Sequence, residues 1–383
     1  MWGGLVKKYV SLFLIAVTFF VFSFETEALS EISAEAFVLM CADTKDVICS
    51  RNSDEQKTIA STTKILTAVI AIESGKLKET VTVGDEITRV DGTSLGLEIG
   101  DTIDLYSLVL ATLLSSGNDA ANSIAVFVGG SIENFAVMMN EKAQQLGMMD
   151  SSFVTPSGLD ADQHYSTAID MALLACYAMN IPLFREMVSM QSARIEFMNG
   201  KVLYVNNHNR LLEMYDGCVG IKTGFTKSSG RCLVSAVERD GVLLIAVTLN
   251  APDDWNDHKK LYDYGFESVR QYTVTCPILP EIAVVGGEEK TVRCRLSNAL
   301  VYSASQEISD FSVEISAPAF VYSPVSKNDV LGEVRVLSDG KEFTYAVLLA
   351  EDSVEKSESD KEQSTLFRKI KNILAGWFVK WKN

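Results

Sequence analysis

The sequence predicts a large α/β (α+β) domain, one sheet with helices against it, followed by a small all-β C-terminal domain and a C-terminal amphipathic helix. Three observations predict it. Apolar residues recur at helical spacing in segments from Ser61 to Met179, then fall into short β-branched runs between Gly217 and Asn250. From about Cys276 only short strand-like runs remain, broken by Gly, Pro, Ser and Asp. Residues 366–383 return to a helical period with a strongly cationic opposite face. The 383 residues, 47% apolar and 22% charged, suffice for two domains with buried cores.

Taken in order, residues 1–30 read as a secretory signal. Lys7 and Lys8 form its positive start, Val10 to Phe24 its apolar stretch, and Thr26-Glu27-Ala28 offers a small residue for cleavage. An uncleaved anchor is the alternative, because the apolar run falls only a little short of a membrane span. Residues 31–273 form the expected catalytic domain. Ala34 to Ser50 reads as a hairpin around Asp43-Thr44-Lys45-Asp46. Helices are expected from Ser61 to Gly75, over Asp104–Leu114, Asp119–Val128, Ile132–Leu146 and Ala168–Met179. Strands follow at Gly217–Thr223, Arg231–Arg239 and Val242–Asn250, then a helix over Asp257–Tyr272.

Residues 274–350 form the all-β domain, with strands expected at Thr291–Leu296, Ala299–Tyr302, Phe311–Ile315, Val330–Val336 and Glu342–Leu349. Residues 351–365 are polar and mostly acidic, which predicts a solvated linker. In 366–383, Leu366, Phe367, Ile370, Ile373, Leu374, Trp377, Phe378 and Trp381 fall within an arc of roughly 140° at helical spacing. Five cations (Arg368, Lys369, Lys371, Lys380 and Lys382) lie opposite, with no acidic residue. That pattern predicts a helix lying on an anionic membrane surface; packing on the protein itself is the alternative.

The chain as a whole carries a net charge of −16, which argues against nucleic acid as a partner. The seven cysteines show no metal-ligand spacing, and the sequence calls for no metal or cofactor. An odd count leaves at least one unpaired in an exported protein, and Cys276 with Cys294 is the first pair to test.

Three short motifs carry chemistry. A serine hydroxyl is a poor nucleophile until a base takes its proton. In Ser61-Thr62-Thr63-Lys64, at a helix start, Lys64 lies one turn on and on the same face as Ser61. The helix N-terminus and burial both disfavour a charged lysine, so Lys64 can act as base. Ser116-Gly117-Asn118 sits on a break between two helices, and Lys222-Thr223-Gly224 ends a predicted strand. Alone, Ser-x-x-Lys is weak: Ser353-Val354-Glu355-Lys356 is a second copy, and Ser326-Lys327-Asn328 imitates the second motif. Order and structural context give the set its specificity. His164, His208 and His258 read as structural, since Lys64 makes a histidine base unnecessary.

On these motifs, together with Pro156-Ser157-Gly158-Leu159 and His164-Tyr165-Ser166-Thr167-Ala168-Ile169-Asp170, the chain resembles the low-molecular-mass penicillin-binding proteins, the D-alanyl-D-alanine carboxypeptidases. The resemblance covers nearly the whole chain and implies a serine DD-peptidase/β-lactamase-like catalytic domain. It implies a function outside the cytoplasmic membrane on peptidoglycan stem peptides ending in D-Ala-D-Ala, with β-lactams as covalent inhibitors. By that likeness Ser61 attacks, Lys64 is the base, Ser116 passes a proton to the leaving amine and Asn118 positions the substrate. Lys222 and Thr223 would hold the terminal carboxylate, Gly224 the peptide backbone, and the Phe225 N–H would be a second oxyanion donor.

Endopeptidase or transpeptidase action uses the same residues with a different amine. A class A β-lactamase would carry Ser-Asp-Asn and a deacylating glutamate, and no Glu-x-x-x-Asn lies between Ser116 and Lys222. A non-catalytic wall-binding or β-lactam-binding protein would be expected to have lost one of these residues.

Overall fold

The computed structural model describes residues 31–358 except 88, 89 and 277; the expected signal (1–30) and amphipathic helix (366–383) lie outside the described residues. The chain divides into two compact units, the second beginning at Gln271.

The first unit is built on a five-stranded sheet. It comprises β1 (Ala36–Cys41), β2 (Val47–Arg51), α1 (Lys64–Glu73), β3 (Thr80–Thr82), β4 (Thr102–Asp104), α2 (Leu105–Leu114), α3 (Asn118–Gly129), α4 (Ile132–Gln145), α5 (Ala168–Met179) and α6 (Pro182–Ser189). Then come β5 (Ser192–Glu196), β6 (Val202–Asn206), α7 (Leu211–Met214), β7 (Cys218–Thr226), β8 (Gly230–Arg239), β9 (Val242–Leu249) and α8 (Asp254–Ser268). The main sheet runs β2-β1-β9-β8-β7, and every pairing is antiparallel. β7 is an edge.

Strands β1 and β9 are buried on both faces, as their near-continuous apolar runs require. Alternation then splits their side chains between two cores. Val38, Met40, Ile245 and Val247 pack into the large core with helices α1 to α6. Phe37, Leu39, Leu244 and Ala246 face the smaller core, with Leu261 and Tyr262 of α8. Side-chain caps fix three helix starts: Asp104 on α2, Ser131 on α4 and Thr167 on α5 each accept a backbone N–H from the first turn.

The second unit contains β10 (Arg270–Thr273), β11 (Glu281–Val285), β12 (Thr291–Leu296), β13 (Val301–Ala304), β14 (Ser312–Ser316), β15 (Phe320–Tyr322), β16 (Val330–Ser338) and β17 (Lys341–Ala350). Six strands form one sheet in the order β14-β16-β17-β12-β11-β15, over a core that includes Val292, Tyr302, Val334, Val336 and Leu348.

Two expectations change. The helix expected to reach Tyr272 stops at Ser268, and Arg270–Thr273 is a strand paired with β13. The β-branched and aromatic run from Val269 to Val274 prefers a sheet edge to another helical turn. The acidic stretch from 351 begins as part of the second unit, because Val354 pairs with Val325 and Lys356 with Gly287. Val354 is buried there, which a solvated linker would not allow. None of the seven cysteines forms a disulfide among the described residues, Cys276 and Cys294 included.

Candidate active site

Ser61 stands in a 3₁₀ turn, Ala60–Thr63, that runs straight into α1. Ala60 adopts a left-handed conformation (φ 47°), which turns the chain sharply just before the serine. Three hydroxyl contacts hold this turn. Thr62 Oγ1 donates to Ile59 O (2.6 Å), Thr63 Oγ1 meets His164 Nε2 (2.9 Å), and Thr67 Oγ1 donates to Pro156 O (2.6 Å). The strap Pro156-Ser157-Gly158 thereby lies against the turn. Its glycine is obligatory: at φ 78°, a Cβ on residue 158 would sit 1.9 Å from Ala60 O.

The Lys64 side chain is completely buried. Its Nζ lies 2.8 Å from Ser61 Oγ, 2.6 Å from Asn118 Oδ1 and 2.6 Å from the Ser157 carbonyl. Burial, reinforced by the positive charge of Lys222, lowers its pKa well below the ordinary lysine value; Asp119 acts in the opposite sense. The partners fit a neutral amine. The two amide oxygens can only accept, so they take its two N–H groups. A charged amine donates to Ser61 Oγ as well, whereas a neutral one has its lone pair left for the Ser61 hydroxyl proton.

Asn118 opens α3 and is fixed at both ends of its amide. Its Oδ1 accepts from Lys64 while Nδ2 donates to Asp91 O (2.6 Å). The neighbouring Asp119 is buried and accepts from Leu95 N (3.0 Å), Leu97 N (3.1 Å) and Ser94 Oγ (2.6 Å), which ties the 91–97 loop beside the site. Ser116 holds the left-handed break between α2 and α3 (φ 60°) and turns its side chain into the cleft.

The opposite wall is edge strand β7. Gly224 sits against the nucleophile's turn: a Cβ there would lie 3.1 Å from Ala60 Cβ, from Ile59 O and from Ser61 N. Any side chain at 224 would crowd the Ser61 N–H, the group suited to an oxyanion. Thr223, Gly224 and the exposed Phe225 line a cleft of about 370 Å³ with Ser61, Thr93, Ser116, His208, Arg210, Arg231, Asp254 and Trp255. Lys222 is on the same strand but behind this surface. It is 1% exposed, donates to Thr223 O (3.0 Å), and burial lowers its pKa to about 7. No carboxylate of the described residues pairs with it.

Ser61, Ser116, Thr223, Gly224 and Phe225 thus line one cleft, Lys64 and Asn118 lie buried beside Ser61, and Lys222 is set back on β7. The imitations, Ser353 to Lys356 and Ser326 to Asn328, belong to the second unit. His164 and His258 are buried, with pKa lowered to about 4 and about 3, and bond to Thr63 and to Ser235 and Thr248. His208 departs from the structural reading, since it lines the cleft. It does not bond Ser61, whose hydroxyl is engaged by Lys64. The Ser157 carbonyl and Asp119 had no assigned role, although both stand in stretches that carried the resemblance.

A helical turn bearing serine and a buried lysine, faced by an edge strand across a cleft, defines a serine peptidase of the β-lactamase-like fold. The chain belongs to the D-alanyl-D-alanine carboxypeptidase family (Peptidase_S11), whose profile matches residues 23–253. It is 27% identical to the Bacillus subtilis D-alanyl-D-alanine carboxypeptidase DacF, over 85% of this chain and 86% of that one. With the Escherichia coli D-alanyl-D-alanine carboxypeptidase DacC it shares 30% identity over 92% of both. Among solved structures it is similar to penicillin binding protein 5 from Haemophilus influenzae, with TM-score 0.61, 25% identity, and coverage of 85% of this chain and 98% of that one. A mutant form of the Streptomyces K15 DD-transpeptidase matches at TM-score 0.59 and 27% identity, covering 62% and 98%. This protein is a serine-type D-Ala-D-Ala carboxypeptidase.

Proposed function

We propose that the carboxypeptidase reaction runs through a Ser61 acyl-enzyme on peptidoglycan stem peptides. Lys64 takes the Ser61 proton as the oxygen attacks the carbonyl of the penultimate D-Ala. The Ser61 and Phe225 N–H groups receive the oxyanion. Ser116 relays the proton held by Lys64 to the departing D-Ala nitrogen, the C–N bond breaks, the ester to Ser61 remains, and Lys64 is again a free amine. Water, deprotonated through the same lysine, then releases the shortened peptide. Asn118 positions the substrate and holds Lys64; Thr223 meets the terminal carboxylate, with Lys222 behind it. The free edge of β7 at Gly224 takes the peptide backbone as an added strand. β-Lactams acylate the same oxygen.

The observation that carries this reading is the Lys64 amine held between two amide oxygens with Ser61 Oγ at 2.8 Å. It is tested by D-alanine release from an N-acylated peptide ending in D-Ala-D-Ala, alongside intact mass after benzylpenicillin. The expected result is turnover plus one penicilloyl group on Ser61, both lost in S61A. Rapid drug hydrolysis with no lasting adduct would instead indicate a β-lactamase, and neither adduct nor hydrolysis a binding protein.

The DD-transpeptidase named among the similar structures supports a second reading, in which an amine replaces water at deacylation. Adding an acceptor amine to the same assay separates the two. For location, the signal-like residues 1–30 and the cationic, aromatic face of 366–383 support the outer face of the cell membrane. Deleting 366–383 should abolish binding to anionic vesicles and leave peptide turnover in solution.

A further inference from the structure

We infer that Arg210 is the cation that contacts the substrate's terminal carboxylate. The inference rests on the carboxypeptidase reading above and names a binding residue for it. Lys222, the expected partner of that carboxylate, is 1% exposed, spends a donor on Thr223 O, and does not line the cleft. Arg210 is exposed and lines the cleft together with Ser116, His208 and Thr223. Among the described residues its guanidinium has no ion-pair or hydrogen-bond partner. The other arginine of the cleft, Arg231, is committed to buried Asp254 (2.8 Å). An uncommitted cation at this point of a chain carrying −16 is a local reversal of charge that suits an anion.

The mount is rigid. Asn207 Nδ2 donates to Val188 O and Met190 O (both 3.0 Å), and its Oδ1 accepts from Asn209 N (2.9 Å). Asn209 Oδ1 accepts from Leu211 N (3.1 Å), and His208 N donates to Leu114 O (3.1 Å). This pins residues 207–211 beside the end of α2, where Ser115 Oγ accepts from Asn206 N (3.1 Å). Arg210 therefore stands on the Ser116 side of the cleft, where the leaving D-Ala and its carboxylate must lie. Its planar fork matches a carboxylate. Burial and the Lys222 charge also lower the His208 pKa, and Lys222 itself titrates near 7, so neither supplies a dependable positive charge to this end of the cleft at neutral pH.

The experiment compares kcat/KM for one N-acylated peptide ending in D-Ala-D-Ala and for the same peptide with its terminal carboxyl amidated. The wild type, R210L and R210K are measured at equal fold integrity, checked by thermal melting. R210L should lower the preference for the carboxylate peptide about 10- to 100-fold, through KM rather than kcat, and R210K should restore part of it. An unchanged preference in R210L, with the wild type active, overturns the inference and leaves the carboxypeptidase reading standing. A wild type that cleaves the D-Ala-D-Ala bond of neither peptide overturns both.

Discussion

Two buried lysines stand behind the cleft, one beside Ser61 and one on β7, and their surroundings differ. Lys64 has three oxygen partners within 2.8 Å, two of them pure acceptors, whereas Lys222 has one backbone carbonyl. Both are stripped of water, so both lose basicity. In the reaction proposed above the shortage of charge at Lys64 is put to use, because a neutral amine beside Ser61 Oγ can take its proton. In Lys222 it is a cost of position: the charge lies close enough to depress Lys64 but too deep to line the cleft. The same burial thus suits the proposed base at one site and leaves an electrostatic neighbour at the other.

The comparison breaks first at Lys64. K64M should lower Ser61 acylation by about 10²–10⁴, measured as the rate of penicilloyl adduct formation. Closing the other wall should come next. In G224V the side chain would press on Ala60, Ile59 and the Ser61 N–H, and acylation should fall by roughly 10–10² as that donor moves.

K222M sharpens the contrast in two ways. Removing the neighbouring charge lets the Lys64 pKa rise, so the acid limb of the acylation rate should move to higher pH. The folded-state pKa of Lys222, about 7, lies below its ordinary 10.5, so the unfolded chain holds the extra proton between those values. The burial cost is therefore full below pH 7 and fades as pH rises toward 10.5. Chemical denaturation should accordingly find K222M more stable at pH 6, on the order of 2–4 kcal/mol, with the gap narrowing by pH 10. The smallest effect belongs to His208. H208A should change turnover less than about tenfold, whereas loss of a triad histidine would cost about 10⁶.

Much of this was legible in the sequence, for physical reasons that differ by residue. Ser61, Lys64, Ser116 and Asn118 stand in short motifs of fixed spacing at or just before helix starts, which periodicity locates. Ser157 acts through a backbone carbonyl, and nothing in its identity reveals where that carbonyl points. Asp119 is one acid among many until the fold brings three amide N–H groups of residues 95, 97 and 120 onto it. Lys222 was found, but its depth was not, because strand alternation says which face a residue takes and not what covers it. Arg210 lies in a short connecting segment with no period to read. In the second unit the strands with alternating apolar residues were visible. The short edge strand Phe320–Tyr322 was not, since three residues carry too little pattern.

The central claim is that Lys64 stands neutral and takes the Ser61 proton. Its most direct test is the rate of Ser61 acylation by benzylpenicillin from pH 5 to pH 10, in the wild type and K64M. The account predicts an acid limb well below the ordinary lysine value, a plateau reached before pH 9, and no such limb in K64M. A wild-type rate still climbing through pH 10, or a K64M variant that acylates as fast as the wild type, would contradict it.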